Sequence, residues 1–388
     1  MKSKYEPLGK YIRLVDERNS ARMEENLLGV STQKYFIPSI ANTVGTDFSK
    51  YKVVRRGQFT YVPDTSRRGD RIAIALLQDW DEGLVSNIYT VFEVTDIKKL
   101  SPEYLMLWFK RPEFDRYARF KSHGSVREVF DWDELCTVTL PVPSLERQLA
   151  IVRAYQVIAN RIELKWKIND NLLATGICVL DQFLNSTNLI DSTETDIDNI
   201  ELPDEWTIMT IANYANSVKS GSTPSRAENL YWKDGTIPWL KSGEVHNNIT
   251  ISTEESITEL GLRNSSTNIL PPDTVLMALY GVTAGEVGYL AVPAATNQAI
   301  CGMVCDNKTK SAFLYFYLLY SQKRISRLSN GGAQNNLSKA FIENIKMIVP
   351  PQEVIEKIGL TVFVQQLIHN TMEIAVLVET ETVLLSNL

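Results

Sequence analysis

The sequence predicts an α+β fold built from one module used twice, each copy running on into a long amphipathic helix. Three observations carry this expectation. The chain repeats itself at a period of more than 200 residues, short β-rich runs sit among short helical patterns within each repeat, and each repeat ends in sustained helical periodicity.

The repeat is clearest at the ends of the two copies. LPVPSLERQLAIV (140–152) aligns with IVPPQEVIEKIGL (348–360) at an offset of 207, pairing Pro143 with Pro350, Glu146 with Glu353 and Ile151 with Ile358. At the same offset Gly124 meets Gly331 and Val138 meets Ile345. With small drifts in offset, SNIYTVFEV (86–94) matches TNQAICGMV (296–304), LLGVS (27–31) matches PWLKS (238–242), and Leu8 and Tyr11 match Ile211 and Tyr214. The order is the same in both halves, and the period is too long for a solenoid unit, so a whole domain with its tail is duplicated.

Within the globular parts, TVFEV, TVLMALY and GYLAV read as strands, while PEYLMLWFKRPEFDRYARF and SAFLYFYLLYSQKRISRL read as helices. Each copy then exits through a proline-bearing segment into a helix, proline being suited to the first turn. From Leu145 the heptad positions Val152, Ala159, Trp166, Leu173 and Leu180 are apolar, with Tyr155, Ile162 and Phe183 beside them. Asn169 and Gly176 interrupt that seam, which implies a polar layer or a kink. The second tail carries Ile355, Ile358, Val362, Met372, Val376 and Val383 on a similar stripe, broken by Gln365, His369 and Glu379. Helices of about 40 residues span about 60 Å, far beyond the usual globular helix, so the two are expected to pack on each other. The expected division is a first globular domain at 1–143, a central helix at 144–185, a polar acidic linker at 186–205, a second domain at 206–349 and a C-terminal helix at 350–388.

Composition excludes several classes. At 44% hydrophobic and 22% charged residues the chain is that of a globular protein. No window approaches a membrane span and the N-terminus has no apolar leader core, so a cytoplasmic location without membrane contact is expected. Cys136, Cys178, Cys301 and Cys305 are scattered, and His123, His246 and His369 lie far from one another. Reduced thiols and no metal site are the expectation. There is no G-x-x-x-x-G-K-[ST] phosphate loop and no Asn-Pro-Pro-Tyr-like tetrapeptide. Gly281, Gly285 and Gly288 have the wrong spacing for a dinucleotide fingerprint and read as turn glycines. No catalytic residue is assigned.

The net charge of −6 is unevenly spread. Residues 1–143 carry a net of +2 and residues 201–349 a net of −1, while 144–200 carry −3 and 350–388 carry −4. The acid therefore lies mostly on the linker and helical tails, leaving room for basic faces on the domains.

Several stretches resemble the specificity subunits of type I restriction-modification enzymes: SGSTPSRAENLYWKDGTIPWLKSGEV (220–245), LYGVTAGEVGYL (279–290) with ATNQAI (295–300), and GGAQNNLSKAFIENIKMIVPP (331–351). The resemblance spans both halves and is stronger in 206–351 than in 1–130. It implies two target-recognition domains, each reading one half of a split, asymmetric double-stranded DNA site, with two antiparallel helices forming a coiled-coil spacer between them. It also implies a non-catalytic chain that binds no cofactor and scaffolds two methyltransferase subunits and restriction subunits, which would use S-adenosylmethionine, ATP and magnesium. A self-contained restriction or modification enzyme is the alternative that S-adenosylmethionine binding by the isolated chain would favour. A protein scaffold that ignores DNA is the other.

DNA recognition needs cations on phosphates and forked side chains on base edges. The candidates in the first domain are Lys50, Lys52, Arg55 and Arg56, then Arg67, Arg68 and Arg71 in a turn-rich loop. In the second they are Lys219, Ser222, Thr223, Ser225 and Arg226, then Gln334, Asn335, Asn336 and Lys339, whose amides suit adenine. Tyr231, Trp232 and Trp239 are expected in the core, since duplex DNA exposes no base faces.

Overall fold

The computed structural model describes residues 5–20, 25–39, 46–65, 71–122, 128–186, 197, 201–329 and 337–388. The chain divides into two compact units, residues 1–162 with 377–388, and residues 163–376.

In the first unit the elements run β1 (Tyr5–Pro7), β2 (Ile12–Val15), β3 (Leu28–Val30), β4 (Phe36–Pro38), β5 (Lys52–Arg55), β6 (Phe59–Tyr61), β7 (Ile74–Leu76), β8 (Glu82–Val85) and β9 (Thr90–Val94). Helices α1 (Pro102–Lys110), α2 (Pro112–Lys121) and α3 (Trp132–Thr137) follow, then β10 (Thr139–Pro141) and α4 (Leu145–Ser186). The main sheet has the order β2-β9-β6-β7, antiparallel throughout. β3 pairs with β4, β5 with β8, and β1 with β10.

Local chemistry sets these boundaries. Ser101 caps α1 by accepting the Tyr104 N–H at 3.3 Å, with Pro102 at the first turn, and Pro112 starts α2 one residue after α1 ends. Phe59 and Phe92 stack at 4.9 Å between centroids, with Phe109 edge-on at 5.8 Å, joining α1 to the sheet. The start of α4 is tied down by Gln148, which is fully buried. Its amide donates to the Pro143 and Lys99 carbonyls at 2.8 Å each and accepts the Ser101 N–H at 2.8 Å. Val152 and Tyr155 then bury into the same core as Leu384, Leu385 and Leu388.

The second unit runs β11 (Thr207–Thr210), α5 (Ile211–Tyr214), β12 (Ser217–Ser220), β13 (Ile237–Leu240), β14 (Ile249–Thr250), β15 (Glu255–Ile257), α6 (Glu259–Arg263), β16 (Thr274–Ala278), β17 (Val287–Leu290), β18 (Ala295–Thr296) and β19 (Ile300–Val304). It continues through α7 (Lys308–Tyr320), α8 (Gln322–Ser329), α9 (Lys339–Glu343), β20 (Lys346–Val349), α10 (Gln352–Ile358) and α11 (Leu360–Ser386). The larger sheet has the order β12-β19-β16-β17-β14, a smaller one the order β15-β13-β18, and β11 pairs with β20.

Four strands of the two main sheets correspond in order and direction, β2-β9-β6-β7 against β12-β19-β16-β17. In each unit the first strand pairs antiparallel with the last strand before a helix. The Leu8 N–H meets the Val138 carbonyl at 2.7 Å, and the Ile211 N–H meets the Ile345 carbonyl at 3.0 Å. These are the residues the sequence repeat pairs. A further repeat, Tyr-Leu-x4-Lys-Arg at Tyr104 to Arg111 and at Tyr317 to Arg324, emerges once α1 is set beside α7. Tyr104 donates to the Pro141 carbonyl at 3.0 Å, whereas Tyr317 accepts the Ile348 N–H at 3.1 Å. Proline has no N–H to give, so the tyrosine hydroxyl changes role while holding the same strand.

The tails differ from expectation in two respects. Gly359, in the left-handed region at φ 75°, ends α10, so the C-terminal segment is a short helix followed by the 27-residue α11 instead of one helix of about 40 residues. The stripe read from Val362, Met372, Val376 and Val383 is the exposed face, whereas Leu360, Val364, Leu367, Asn370 and Ile374 are buried. Both stripes have helical spacing, and Asn370 disguises the buried one. Within the second unit Asn370, 1% exposed, donates to Asn169 Oδ1 at 2.8 Å and accepts from Lys165 at 2.9 Å and Gln366 at 3.0 Å. Lys165 also pairs with Glu373 at 2.8 Å. Asn169 thus forms a polar layer between α4 and α11, the arrangement that favours one helix register at some expense of stability.

Gly176 lets α4 approach α7: a Cβ there would lie 2.3 Å from the fully buried Phe316 ring. Alanine favours a helix over glycine by about 1 kcal/mol, yet overpacking a core costs about 1–3 kcal/mol. Gly176→Ala is therefore expected to lower the thermal unfolding midpoint, and Phe316→Leu in that background to recover part of the loss. A Gly176→Ala chain as stable as the parent would show that the helices separate freely there.

Candidate nucleic-acid interface

Strand register gathers the loops that carry chemistry. In the second unit Ser220 lies opposite Cys301, Ile300 opposite Ala278, and Met277 opposite Val287. β14 runs parallel to β17, with Ile249 opposite Tyr289. The end of β12, the start of β19, the end of β16 and the starts of β17 and β14 therefore share one edge of the sheet. The loops at 221–226, 241–248, 279–286 and 296–299 leave from it.

Backbone hydrogen bonds knit these loops together. The Ser222 N–H meets the Thr296 carbonyl at 2.9 Å, Asn297 meets Leu240 at 3.0 Å, Leu279 meets Ala299 at 2.8 Å, and Leu337 meets Leu279 at 2.9 Å. Gly221 is required here, since a Cβ would fall 1.9 Å from the Thr296 carbonyl oxygen. Thr283 donates to the Ser242 carbonyl at 3.1 Å, and Thr223 to Gln298 Oε1 at 2.8 Å. Gly281 and Gly285, at φ 81° and 85°, are turn glycines.

The second-unit candidates fall into distinct environments. Lys219, on β12 opposite Gly302, is exposed with no carboxylate partner among the described residues. Arg226 is engaged inside the chain: it pairs with both oxygens of Glu255 at 3.2 and 2.6 Å and lies 3.6 Å from the Trp232 ring centroid and 5.0 Å from that of Trp239. Ser222 and Ser225 contribute carbonyls to Trp239 and Trp232 at 3.1 and 3.0 Å, fixing the backbone beneath the arginine. Trp239 is buried at 1% exposure, and Tyr231 and Trp232 are half-buried. Lys339 pairs with Glu343 at 3.2 Å within α9. Gln334, Asn335 and Asn336 lie outside the described residues; the next residue, Leu337, is bonded to the loop after β16.

The first unit repeats the geometry. Val15 lies opposite Val91, Tyr61 opposite Thr90 and opposite Ile74, so the segment between β6 and β7 leaves the corresponding sheet edge. That segment carries Arg67, Arg68 and Arg71. The first two lie outside the described residues, and Arg71 is exposed. Its C-terminal foot is anchored by Asp115, which accepts the Ile72 N–H at 3.1 Å and the Lys34 ammonium at 2.8 Å. Burial pushes Lys34 below the ordinary lysine range, against the opposing pull of Asp115.

The remaining cations stand differently. Arg55 and Arg56 precede β6, at its opposite end. Arg55 pairs with Glu17 at 2.7 Å and Glu82 at 2.8 Å, and Arg56 with Asp81 at 2.9 Å. Lys52 donates to the Tyr89 carbonyl at 2.9 Å and faces Asp16 at 3.6 Å. Lys50 is exposed, 3.7 Å from Asp47. Sequence reading saw these cations without their carboxylates, because Glu17 and Glu82 are brought in by strand pairing from 38 and 27 residues away.

Among the described residues no group of three or more His, Cys, Asp or Glu could hold a metal, and no helix is long and apolar enough to cross a membrane. Burial pushes the Cys301 thiol up to about 12 and the Cys305 thiol up to about 11, keeping both protonated near neutral pH.

The fold is α+β, and the candidate residues of the second unit lie mostly in loops gathered at one sheet edge. Residues 203–377 match the family model described as the type I restriction modification DNA specificity domain. Over its whole length the chain is similar in sequence to type I restriction specificity subunits. It is 25% identical to the MjaIX specificity subunit of Methanocaldococcus jannaschii, covering 74% of this chain and 68% of that one. It is 21% identical to the HindI specificity subunit of Haemophilus influenzae, covering 98% and 97%. Its fold matches a type I S subunit from M. genitalium at a TM-score of 0.56 and 17% identity, over 98% of this chain and 94% of that one.

The Arg226 hydrogen bonds hold the Glu255 carboxyl below the usual carboxylate range. A depressed carboxylate stabilises the fold above its unfolded pKa and loses that contribution as pH falls through the folded value. Arg226→Ala should therefore return Glu255 to an ordinary titration, read by carboxyl NMR. Its stability deficit at neutral pH should shrink below about pH 4. A Glu255 titration unchanged in Arg226→Ala would remove the ion pair from this account.

Proposed function

We propose that this chain is the non-catalytic, sequence-reading subunit of a type I restriction-modification enzyme, in which each unit reads one half of a split, asymmetric double-stranded DNA site. The observation that carries the proposal is the placement, in both units, of the loop between corresponding strands at the same sheet edge, β6–β7 in one and β16–β17 in the other. Two units that share a four-strand order and differ in their loops suit a bipartite target. The specificity-domain match over 203–377 and the named relatives support the reading.

In this proposal the two units are tandem copies of a target-recognition domain, and α4 and α11 pair antiparallel as a coiled-coil spacer. The polar layer of Asn169 and Asn370 supports that pairing. Exposed Leu164, Trp166, Val362, Met372 and Val376 on these helices in the second unit suit the docking of partner chains. Those partners are two methyltransferase subunits, using S-adenosylmethionine, and restriction subunits, using ATP and magnesium. The chain itself binds no cofactor and acts in the cytoplasm.

Genome-wide adenine methylation in a host expressing the chain with its methyltransferase partners tests the proposal, with a bipartite motif as the expected result. Random or absent methylation by an assembled complex would overturn it. Each lysine or arginine on a phosphate contributes about one unit of salt slope. Lys219→Ala is accordingly expected to flatten the salt dependence of the partner complex by about one, and Arg67→Ala with Arg68→Ala to weaken the other half-site. If neither change alters half-site affinity at physiological salt, these loops face away from DNA.

The spacer makes a separate prediction. Because Gly176 is packed against Phe316, insertions belong where α4 and α11 pass from one unit to the other, after Ile162 and after Val376. Four added residues lengthen a helix by about 6 Å, near two base pairs at about 3.4 Å each, and rotate it by about 40 degrees beyond a full turn. Matched insertions should move the methylated motif's gap by one or two base pairs and keep both half-sites. An active variant with the original gap would show that these helices do not set it.

A further inference from the structure

The loop between β16 and β17 holds a feature the candidate cations do not explain. Val282 is fully exposed, at 102% of its reference area, and Tyr280 beside it is 42% exposed. Single exposed apolar residues are common on surfaces and carry no meaning alone. This one is held in place. Gly285 N–H meets the Ala278 carbonyl at 2.8 Å, Ala284 meets Gly281 at 3.2 Å, and Glu286 meets Thr283 at 2.9 Å. Thr283 is 4% exposed and donates to the Ser242 carbonyl, while Gln322 donates to the Gly285 carbonyl at 3.2 Å. The backbone is thus tied on both sides of a side chain that touches water only.

Its surroundings are polar, with Glu286 of the same loop 3.1 Å from His246. Gln298 and Gly243 are exposed on the flanking loops, and Lys219 is exposed on the strand beside β19. The corresponding loop of the first unit, between β6 and β7, carries Arg67, Arg68 and Arg71. One topological position therefore carries arginines in the sequence of one unit and a branched apolar tip in the other, between strands of the same four-strand order. A difference at this position fits loops that meet two different half-sites, and the fold places no core demand on it.

The duplex offers one apolar group to such a tip, the thymine 5-methyl in the major groove. Side chains that wedge between base steps from the minor groove are mostly longer, such as Phe, Leu, Ile or Met. Valine is too short to unstack a step but presents two methyl groups to a third. We infer that Val282 is a specificity-determining residue that packs on a thymine methyl in the half-site read by the second unit. This inference rests on the DNA-reading function proposed above.

The test uses the full chain assembled with its methyltransferase partners and duplexes carrying the methylation-mapped site. Each thymine of both half-sites is replaced in turn by deoxyuridine, which lacks only the methyl. Burial of one methyl-sized group corresponds to about a fourfold change in affinity. Wild type should bind about fourfold more weakly for one position in one half-site. Val282→Ser should lose that preference while keeping its discrimination elsewhere, and Val282→Ile, whose tip remains apolar, should keep it. Having no core contacts, the tip should leave thermal stability unchanged in both variants. Site-selective binding indifferent to every deoxyuridine, a Val282→Ser complex that still prefers thymine, or a half-site without thymine in either strand would overturn the inference and leave the DNA-reading function standing. Absence of any sequence-selective binding by the assembled complex would overturn both.

Discussion

The pairing of the first strand of each unit with its last is the constraint on which the rest depends. β1 meets β10 and β11 meets β20, each in antiparallel register, and so bring the entry and exit of each globular part together. A helix can then leave beside the point of entry. The pairing is backed from below in both units. Tyr104 and Tyr317 bond to the exit strand, and Arg324, 3% exposed, donates to the Lys346 carbonyl at 3.2 Å. Arg111, its counterpart in the first unit, lies 4.2 Å over the Trp108 ring centroid instead. It lines a cleft of about 280 Å³ with Tyr5, Phe114 and Tyr117 beside the strand pair.

With the ends clamped, the opposite requirement falls on the loops, which must hold shape without a core of their own. They do so through backbone bonds and small residues. Gly221 admits the Thr296 carbonyl, and successive N–H to carbonyl bonds link Leu240, Asn297, Ala299, Leu279 and Leu337. Side chains at such an edge are presented on a rigid base, which reduces the ordering cost of binding. The electrostatics follow the same division. Arg55, Arg56 and Arg226 spend their charge on carboxylates of their own unit, whereas Lys219 and Arg71 face solvent. A net negative chain can therefore still offer cations where loops converge, because its acidic excess sits on the linker and tails.

The helices illustrate how a polar residue can be the most informative one in an apolar seam. Asn370 is buried and makes three side-chain hydrogen bonds, and Asn169 is its partner across 201 positions of sequence. Sliding α11 by one heptad would bring Phe363 or Leu377 toward Asn169 and strand both amides, at about 1–3 kcal/mol for each unsatisfied group. The pair therefore opposes other registers more than it adds stability. The exposed apolar stripe on the same helix has the spacing of a core face, which is why periodicity chose it first.

By itself the sequence determined the α+β class, the strands at TVFEV, TVLMALY and GYLAV, the helical runs after Pro102 and from Ser311, the long helix beginning at Leu145 and the family resemblance. Each of these follows from local or periodic signals: alternation, helical spacing, proline at helix starts, and a repeat offset that pairs Val138 with Ile345. It also revealed Asn169 as a break in the seam and Gly281 and Gly285 as turn residues, whereas Gly288, read with them as a turn glycine, lies in β17 opposite Leu276. Tertiary structure alone decided which face of α11 is buried, since two stripes there share a period and only contact distinguishes them. It decided which cations are already neutralised, since Glu17, Glu82 and Glu255 lie 27 to 38 residues from their partners and meet them only in the folded chain. And it decided that four separated loops share one sheet edge, because strand order and register are set by long-range pairing that no local pattern encodes.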